Sequence, residues 1–519
     1  MNRPDTRDGV TGVAPYAALE PWDEHNRRLA ANLHPADWHH PEPRERYDLV
    51  VIGGGTAGLV TAAIAVALGA RVALIERKLL GGDCLNVGCV PSKAMIAAAR
   101  AWTEANLAEE RFGGPPAAVG GDFAAVMERI RRLRADISEH DSAGRFTDLG
   151  VDVFLGEASF AGAAAVRVGD ATFRFRKAVI ATGTRPAVPD VPGLEDAEYL
   201  TNETVFTLTE QPRRLAVIGG GSIGCELAQA FAAFGTRVTL LEAGERILAS
   251  DDPDAAAVVR DHMVESGVEI HCGVRLVGVT GDEERGRSIR YELDGATHEV
   301  HADAILVATG RVANVEGLKA EAAGVQVDSR RGVEVDDHLR TANADVFAIG
   351  DVASALKFTH LADAHARLVV RNALFFGRGK ASDLVVPWCT YTTPELAHVG
   401  IGHAEVGSRG DEIDTITVPF SSVDRARLDG DEEGFLRMHL SRGSDTILGA
   451  TLVGGGAGDI ISQITQAMTA GVGLGRLSET IFPYPTRAEI IRKAADAWRR
   501  QKLTPRAQKL FELFFRVRR

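Results

Sequence analysis

Cys84 and Cys89, five positions apart, carry the first recognisable chemistry in the chain. They lie in Gly81-Gly82-Asp83-Cys84-Leu85-Asn86-Val87-Gly88-Cys89-Val90-Pro91-Ser92-Lys93. Pro91 suits a first helical turn, where its missing N–H costs nothing. The apolar, Ala-rich stretch through Met95 and Ile96 to about Ala101 predicts a helix with the second cysteine at its mouth. One helical turn brings such positions near the separation a disulfide needs. Helix N-terminal N–H groups, with the Lys93 ammonium beside them, favour a thiolate. We read a redox-active pair with a depressed thiol pKa. A structural disulfide and half of a zinc site are the alternatives. The zinc site needs another such pair, and Cys225, Cys272 and Cys389 stand singly.

Two glycine-rich strand–turn–helix units must position this pair. Tyr47-Asp48-Leu49-Val50-Val51-Ile52 has the continuous apolar run of a buried parallel strand. Gly53-Gly54-Gly55-Thr56-Ala57-Gly58 follows, then a helix to Leu68 and a second strand from Arg71 to Glu76. In this GxGxxG turn Gly53 and Gly55 let the backbone approach a pyrophosphate, and Gly58 lets the helix pack on the strand. Glu76 ends the second strand, where a carboxylate grips a ribose. The second unit runs Leu215 to Ile218, Gly219-Gly220-Gly221-Ser222-Ile223-Gly224, a helix to Phe234, and Arg237 to Leu241, ending at Glu242. Gly219, Gly221 and Gly224 take the same three roles, and Glu242 that of the carboxylate. Two such units imply two dinucleotides. The cysteines follow the first unit, so it is expected to hold FAD and the second a nicotinamide cofactor. A carboxylate at Glu242 accepts from ribose hydroxyls and repels a 2′-phosphate, so NADH is expected over NADPH; Arg246, four residues on, softens that bias.

The stretch from Gly81 to Lys93 resembles, almost letter for letter, the redox-active disulfide motif of the class I pyridine nucleotide-disulfide oxidoreductases. That family includes glutathione reductase, dihydrolipoyl dehydrogenase and mercuric reductase. Motifs in the family's order extend from about Tyr47 to about Lys502. The resemblance implies an α/β fold with two Rossmann-like dinucleotide-binding domains plus an α+β C-terminal dimerisation domain. The expected division is an arm over 1–46, the first part of an FAD-binding domain over 47–200 and an NAD(P)-binding domain over 201–325. The second, central part of the FAD-binding domain then spans 326–387, the dimerisation domain 388–502 and an amphipathic tail 503–519. Ala181-Thr182-Gly183 and Ala308-Thr309-Gly310 match the turns that close the two nucleotide domains, which brings Gly183 and Gly310 to the cofactor sites.

Thr341 to Asp351 resembles the family's second flavin motif, in which the last Asp binds the ribitol chain; that role falls to Asp351. A helix beginning near His360-Leu361-Ala362 would aim its positive end at the flavin, with Ala362 at the site. The implied mechanism is a relay. NAD(P)H gives hydride to the flavin, the flavin reduces the Cys84–Cys89 disulfide, and the dithiol reduces an acceptor. Cys89 would lie against the flavin as the charge-transfer thiolate, and Cys84 would face the acceptor. Lys93 would sit by the flavin N5, with Glu226 paired to it beside the nicotinamide. The dimerisation domain implies a homodimer with composite active sites.

Two positions depart from the pattern. Ser222 stands where glutathione reductase and many relatives carry Tyr as a gate over the flavin. Tyr484, in Phe482-Pro483-Tyr484-Pro485-Thr486-Arg487-Ala488-Glu489, stands where disulfide-reducing relatives carry the His of His-Pro-x-x-x-Glu. That His is a general acid/base from the other subunit; here Pro485 and Glu489 are retained. A phenol, with a pKa near about 10, is a poor proton acceptor at neutral pH. Mercuric reductase has Tyr within a Phe-Pro-Tyr sequence at this place. A soft metal ion needs thiolates and a nearby ligand, and no leaving thiol has to be protonated. That enzyme's C-terminal Cys-Cys pair and N-terminal CxxC domain are absent from this sequence. The expectation is an FAD- and NADH-dependent, mercuric-reductase-like enzyme. Its acceptor would be a soft metal ion, a quinone-like oxidant or an unusual disulfide. A dihydrolipoyl dehydrogenase is the alternative among enzymes, and a flavin-binding redox sensor or assembly subunit the alternative outside them.

Bulk properties bound the rest. A net charge of −13 on 519 residues argues against nucleic acid as a general partner. Five cysteines with one pair fit a reducing compartment, and neither a signal pattern nor a membrane-spanning apolar run is found, so the cytoplasm is expected. No resident metal is expected. The polar first 46 residues read as a partly ordered arm lying on the main body, with His34, His39 and His40 solvated rather than metal-bound. Asp122 to Leu149 reads as one long exposed helix. In the tail, Leu510, Phe511, Leu513, Phe514 and Phe515 are expected to pack on a subunit, with a membrane surface as the alternative.

Overall fold

The computed structural model describes residues 19–115, 120–282, 286–328 and 330–519. The helices that bear on the site are α1 (Glu24–Leu33), α2 (Thr56–Ala67), α3 (Gly82–Asn86), α4 (Cys89–Phe112) and α5 (Phe123–Ile137). Further along come α6 (Ser222–Ala233), α7 (Thr359–Leu374), α8 (Glu489–Gln501) and α9 (Pro505–Arg518). The fold is α/β, with two Rossmann-like sheets and a third, antiparallel sheet at the C-terminal end.

The first sheet has seven strands. Its parallel part runs Asp152–Leu155, Val72–Glu76, Arg46–Ile52, Ala171–Ile180, and Val346–Ala348 returns late in the chain to pair with Ala171–Ile180. Both faces are covered. Leu49, Val51, Leu74 and Val179 pack among residues of α2 and α7, while Val50, Ile52, Ala73 and Ile75 pack with Phe154, Phe173 and Phe175. Burying one such aliphatic side chain stabilises by roughly 1.5–3 kcal/mol. Slipping the register by one residue would exchange the two faces, so alignment is tightly specified.

The second sheet runs Val268–Cys272, Arg237–Glu242, Arg214–Ile218, Ala304–Val307, all parallel, with α6 following its first strand in sequence. The third is five-stranded and antiparallel: Pro387–Thr390, Glu395–Gly400, Ile447–Gly454, Phe435–Ser441, Ile413–Pro419. Residues of α8 and of the helix Ala457–Thr469 complete its core.

The 122–149 stretch and two histidines of the arm differ from the sequence reading. The 122–149 stretch is broken: α5 ends at Ile137, a 3-10 turn spans Ser138–Asp141 and a short helix spans Ala143–Asp148. The break is local chemistry, since Ser138 Oγ donates back to the Ala135 carbonyl and Ser142 caps the short helix at Arg145. Nor is α5 solvated all round: Phe123, Val126, Met127 and Ile130 are buried against residues of α4 and α6. The described part of the arm is docked; Asp23 caps α1 by accepting from Asn26 N, and Leu29 and Leu33 enter the first core. His34 Nδ1 donates to the Lys78 carbonyl, and His40 Nε2 lies 2.9 Å from the Leu155 carbonyl oxygen. Residues 1–18 lie outside the described part. On the single chain α9 buries none of its residues, and Phe511, Phe514 and Phe515 are exposed. Among the described residues no helix is long and apolar enough to cross a membrane.

Candidate active site

The two glycine turns close in the same way. Gly53 has φ +111°, and a Cβ there would lie 2.3 Å from the Ala181 carbonyl oxygen. Gly219 has φ +107°, and its Cβ would lie 2.5 Å from the Ala308 oxygen. Each Ala-Thr-Gly turn is therefore pressed onto the first glycine of its unit, which only glycine tolerates. Gly58 and Gly224 bring α2 and α6 onto those glycines, leaving their own Cβ positions 1.8 and 2.0 Å from the Gly53 and Gly219 oxygens. Gly55 and Gly221 are the N-caps of α2 and α6, and both face open space: a Cβ at Gly55 would meet nothing nearer than 3.7 Å, and one at Gly221 nothing within 4 Å. Open helix N–H groups with no side chain over them are what a pyrophosphate requires.

The first cleft continues from this turn past Glu76, Gly183, Asp351 and Ala362 to Cys84. Glu76 accepts from Gly54 N at 2.6 Å and Lys78 N at 2.7 Å; Glu242 repeats the arrangement with Gly220 N at 2.5 Å and Gly244 N at 2.6 Å. Both carboxylates are thus fixed at the ends of their strands. Asp351 accepts from Thr184 Oγ1 at 3.2 Å. Burial pushes its carboxyl up from the usual range, opposed by the Arg311 and Lys357 charges. Gly310 closes the second unit, its carbonyl accepting from Ala187 N. These donors and acceptors fit FAD in the first cleft.

Cys84 lies in α3 and Cys89 opens α4, and both thiols are free. Cys89 is exposed on the single chain; the Cys84 thiol hydrogen-bonds to it and pulls its pKa down to about 6, with Thr359 and the Lys93 charge assisting. The same bond, with burial, pushes Cys84 up. The direction of both shifts favours Cys89 over Cys84 as the thiolate of the reduced pair. Thr359 Oγ1, on the first residue of α7, lies 3.3 Å from Cys89 Sγ. The helix begins one residue before the expected His360.

Lys93, one turn along α4, donates from Nζ to Glu226 Oε2 at 2.7 Å. Glu226 lies on α6 and is only 4% exposed. Its other oxygen accepts from Tyr391 N at 2.9 Å, and the Tyr391 ring centroid is 4.7 Å from the Lys93 ammonium. Sequence reasoning missed Tyr391, Thr359 and a second cross-domain tie, in which Arg311 donates to Asp83, the neighbour of Cys84. A charged residue beside Cys84 and an arginine directly after Gly310 were the available signals.

Tyr484 and Glu489 stand apart from this cluster. Tyr484 is 71% exposed in the third sheet's domain, and its hydroxyl donates to Asp424 Oδ2 at 3.2 Å. That bond raises the phenol pKa. Glu489, on α8, is 5% exposed; one oxygen is held by Arg492 and the other, Oε2, is buried without a partner. Ser222 is exposed at the first turn of α6. Among the described residues no three His, Cys, Asp or Glu side chains gather as a metal site.

The sequence matches the pyridine nucleotide-disulphide oxidoreductase family over residues 47–366 and that family's dimerisation domain over residues 386–495. It is 34% identical over 453 residues to a mercuric reductase of Staphylococcus aureus, spanning 86% of this chain and 82% of that protein. It is also 34% identical over 459 residues to a dihydrolipoyl dehydrogenase of Geobacillus stearothermophilus, spanning 86% and 95%. A solved Cu(II) complex of the HOCl-induced flavoprotein disulfide reductase RclA from Escherichia coli superposes with a TM-score of 0.78 at 28% identity, covering 88% of this chain and all of that one.

Proposed function

This chain belongs to the pyridine nucleotide-disulphide oxidoreductase family, and we propose that it carries electrons from NADH, through FAD and the Cys84–Cys89 pair, to a soft or borderline metal ion. The family implies FAD and a nicotinamide cofactor, and the dimerisation domain fits a homodimer. The observation that carries the choice of acceptor is Tyr484, a phenol tied to Asp424 at 3.2 Å where disulfide reducers need a base. Relatives named mercuric reductase, and a solved neighbour in complex with Cu(II), support it.

FAD, held against Gly53, Gly55, Glu76 and Asp351, would supply two-electron exchange with the nicotinamide. Cys89 keeps a thiolate fixed beside Thr359 and Lys93. Cys84 presents the second sulfur to the acceptor; its thiol would give up its proton as a soft ion binds, so that the two sulfurs form a soft-ion site. Lys93 and Glu226 hold each other in place at the edge of this site. Tyr484, with Glu489 behind it, would complete the site from the second subunit of the dimer. Glu242, fixed by two backbone N–H groups, favours NADH. Arg246 does not oppose it, because its guanidinium is spent on the carbonyls of Leu248, Ala249 and Asp251. A cycling thiol pair fits a reducing compartment, so the cytoplasm is the proposed location.

NADH oxidation by the purified dimer, with mercuric ion, cupric ion, a quinone, lipoamide and glutathione disulfide as separate acceptors, tests the reading. Metal ions should turn over fastest. Efficient turnover of lipoamide with slow metal reduction would favour the dihydrolipoyl dehydrogenase reading, to which the identity of 34% gives equal standing.

A further inference from the structure

We propose that the N-terminal helix α1 positions the dithiol, acting through Asn26, Arg134 and the backbone of Asn86 between the two cysteines. This rests on the reading of Cys84 and Cys89 as the working pair. Arg134 is 1% exposed, and its guanidinium bridges two elements. One nitrogen donates to Asn26 Oδ1 on α1 at 2.7 Å, and another to the Asn86 carbonyl of the redox loop at 2.7 Å. Among the described residues no ion pair joins Arg134 to a carboxylate. A guanidinium buried this deeply is expensive, and an apolar side chain of similar size would serve bulk stability as well. What an apolar side chain cannot do is fix the orientation of one peptide carbonyl.

Both ends of the bridge are themselves fixed. Asn26 is fully buried and donates from Nδ2 to the Pro21 carbonyl at 2.8 Å, so its amide oxygen is aimed at Arg134. Asn86 donates from Nδ2 to the carbonyls of Leu80 at 3.0 Å and Gly82 at 2.9 Å. The neighbouring carbonyl, that of Val87, accepts from Asn202 Nδ2 at 3.2 Å. The peptides between the cysteines are thus clamped from two sides, by α1 through Arg134 and by the second domain through Asn202. The end of α1 also meets the entry to the loop: His34 donates to the Lys78 carbonyl, and Leu80 N lies 3.5 Å from the Leu33 oxygen. The spacing and orientation of the two sulfurs depend on the shape of this loop.

The test is alkylation of Cys89 by iodoacetamide in reduced full-length protein across a pH series, read by peptide mass spectrometry, with Tm recorded for each variant. Asn26→Leu removes the acceptor and should move the Cys89 midpoint up by about one pH unit. Asn26→Asp keeps an oxygen facing Arg134 but loses the donor to the Pro21 carbonyl, and should move the midpoint less than Asn26→Leu does. Arg28→Ala cuts only the surface ties of α1 to Asp136 and Glu139, and should leave the midpoint in place. Arg134→Lys keeps the charge but cannot span both partners, and should behave like Asn26→Leu; it serves if that variant does not fold. A lower Tm with an unmoved midpoint in the bridge variants overturns the proposal, as does an equal shift in Arg28→Ala. An ordinary thiol midpoint in the unsubstituted protein would instead remove the reading of the pair, and this inference with it.

Discussion

Lys93 Nζ and Glu226 Oε2 meet at 2.7 Å, joining the helix of the redox pair to the helix of the second glycine turn. The pair crosses between the two nucleotide-binding units, where the nicotinamide and the flavin would meet. Its buried carboxylate also anchors Tyr391 N. Replacing Glu226 with Gln keeps the size and removes the charge that holds Lys93. Reduction of bound FAD by NADH, followed by stopped flow, should slow by about 10²-fold, as small misplacements of reacting groups typically cost. Glu226→Ala should also destabilise by about 1–3 kcal/mol in denaturant titration, because the Tyr391 N–H loses its buried partner. An unchanged hydride-transfer rate in Glu226→Gln would show the pair to be structural only.

The Cys89 thiolate gives a pH signature. Its pKa is lowered to about 6, chiefly by the Cys84 hydrogen bond. The reactive form is therefore present above about pH 6 and lost as pH falls through that value. Alkylation of Cys89 should reach half its maximal rate near there. Cys84→Ala removes the largest cause, so the midpoint should climb toward the ordinary thiol value of about 8.5. If the reactive low-pH thiol proves to be Cys84, the two roles are reversed.

The parts of this site that could be read in advance are those written into one short stretch or one local unit. The Gly81–Lys93 motif is one short run, each glycine turn lies 22 residues from its closing carboxylate within one strand–helix–strand unit, and the structure brings Cys89, Lys93 and Glu226 together. What escaped reading is what the fold assembles. Thr359 and Cys89 are 270 residues apart, Tyr391 and Glu226 are 165 apart, and Arg134 and Asn26 are 108 apart. No periodicity marks such contacts. The break after Ile137 was missed for a different reason: helical patterning continues through it, and only Ser138 and Ser142 interrupt the chain with side chains that bond locally.

The proposed preference for NADH follows from Glu242. Its carboxylate is held by Gly220 N and Gly244 N at the place a ribose would occupy, and Arg246 is committed to three carbonyls. The ratio of kcat/KM for NADH over NADPH should exceed about 10, the factor that about 1.4 kcal/mol of discrimination gives. Glu242→Ser should cut that ratio mainly by improving NADPH. A preference for NADPH in the unsubstituted protein would mean that a cation other than Arg246 meets the 2′-phosphate.

Tyr484 should decide which acceptors are used. Loss of a positioned base costs about 10²–10⁴ in rate for reactions that need one. The hydrogen bond to Asp424 raises the phenol pKa and makes it a still poorer proton acceptor. Lipoamide and glutathione disulfide should be poor acceptors. Tyr484→Phe should slow metal-ion reduction while leaving FAD reduction by NADH unchanged. Tyr484→His is the more telling variant. Glu489 Oε2 is already buried without a partner, and an imidazole at position 484 is expected to give it one. Orientation by Glu489 should then restore part of the disulfide activity, and Tyr484→His with Glu489→Gln should lose it again. The acceptor assignment fails if the unsubstituted protein turns over lipoamide as fast as Tyr484→His does, since the chemistry would then not need the missing base.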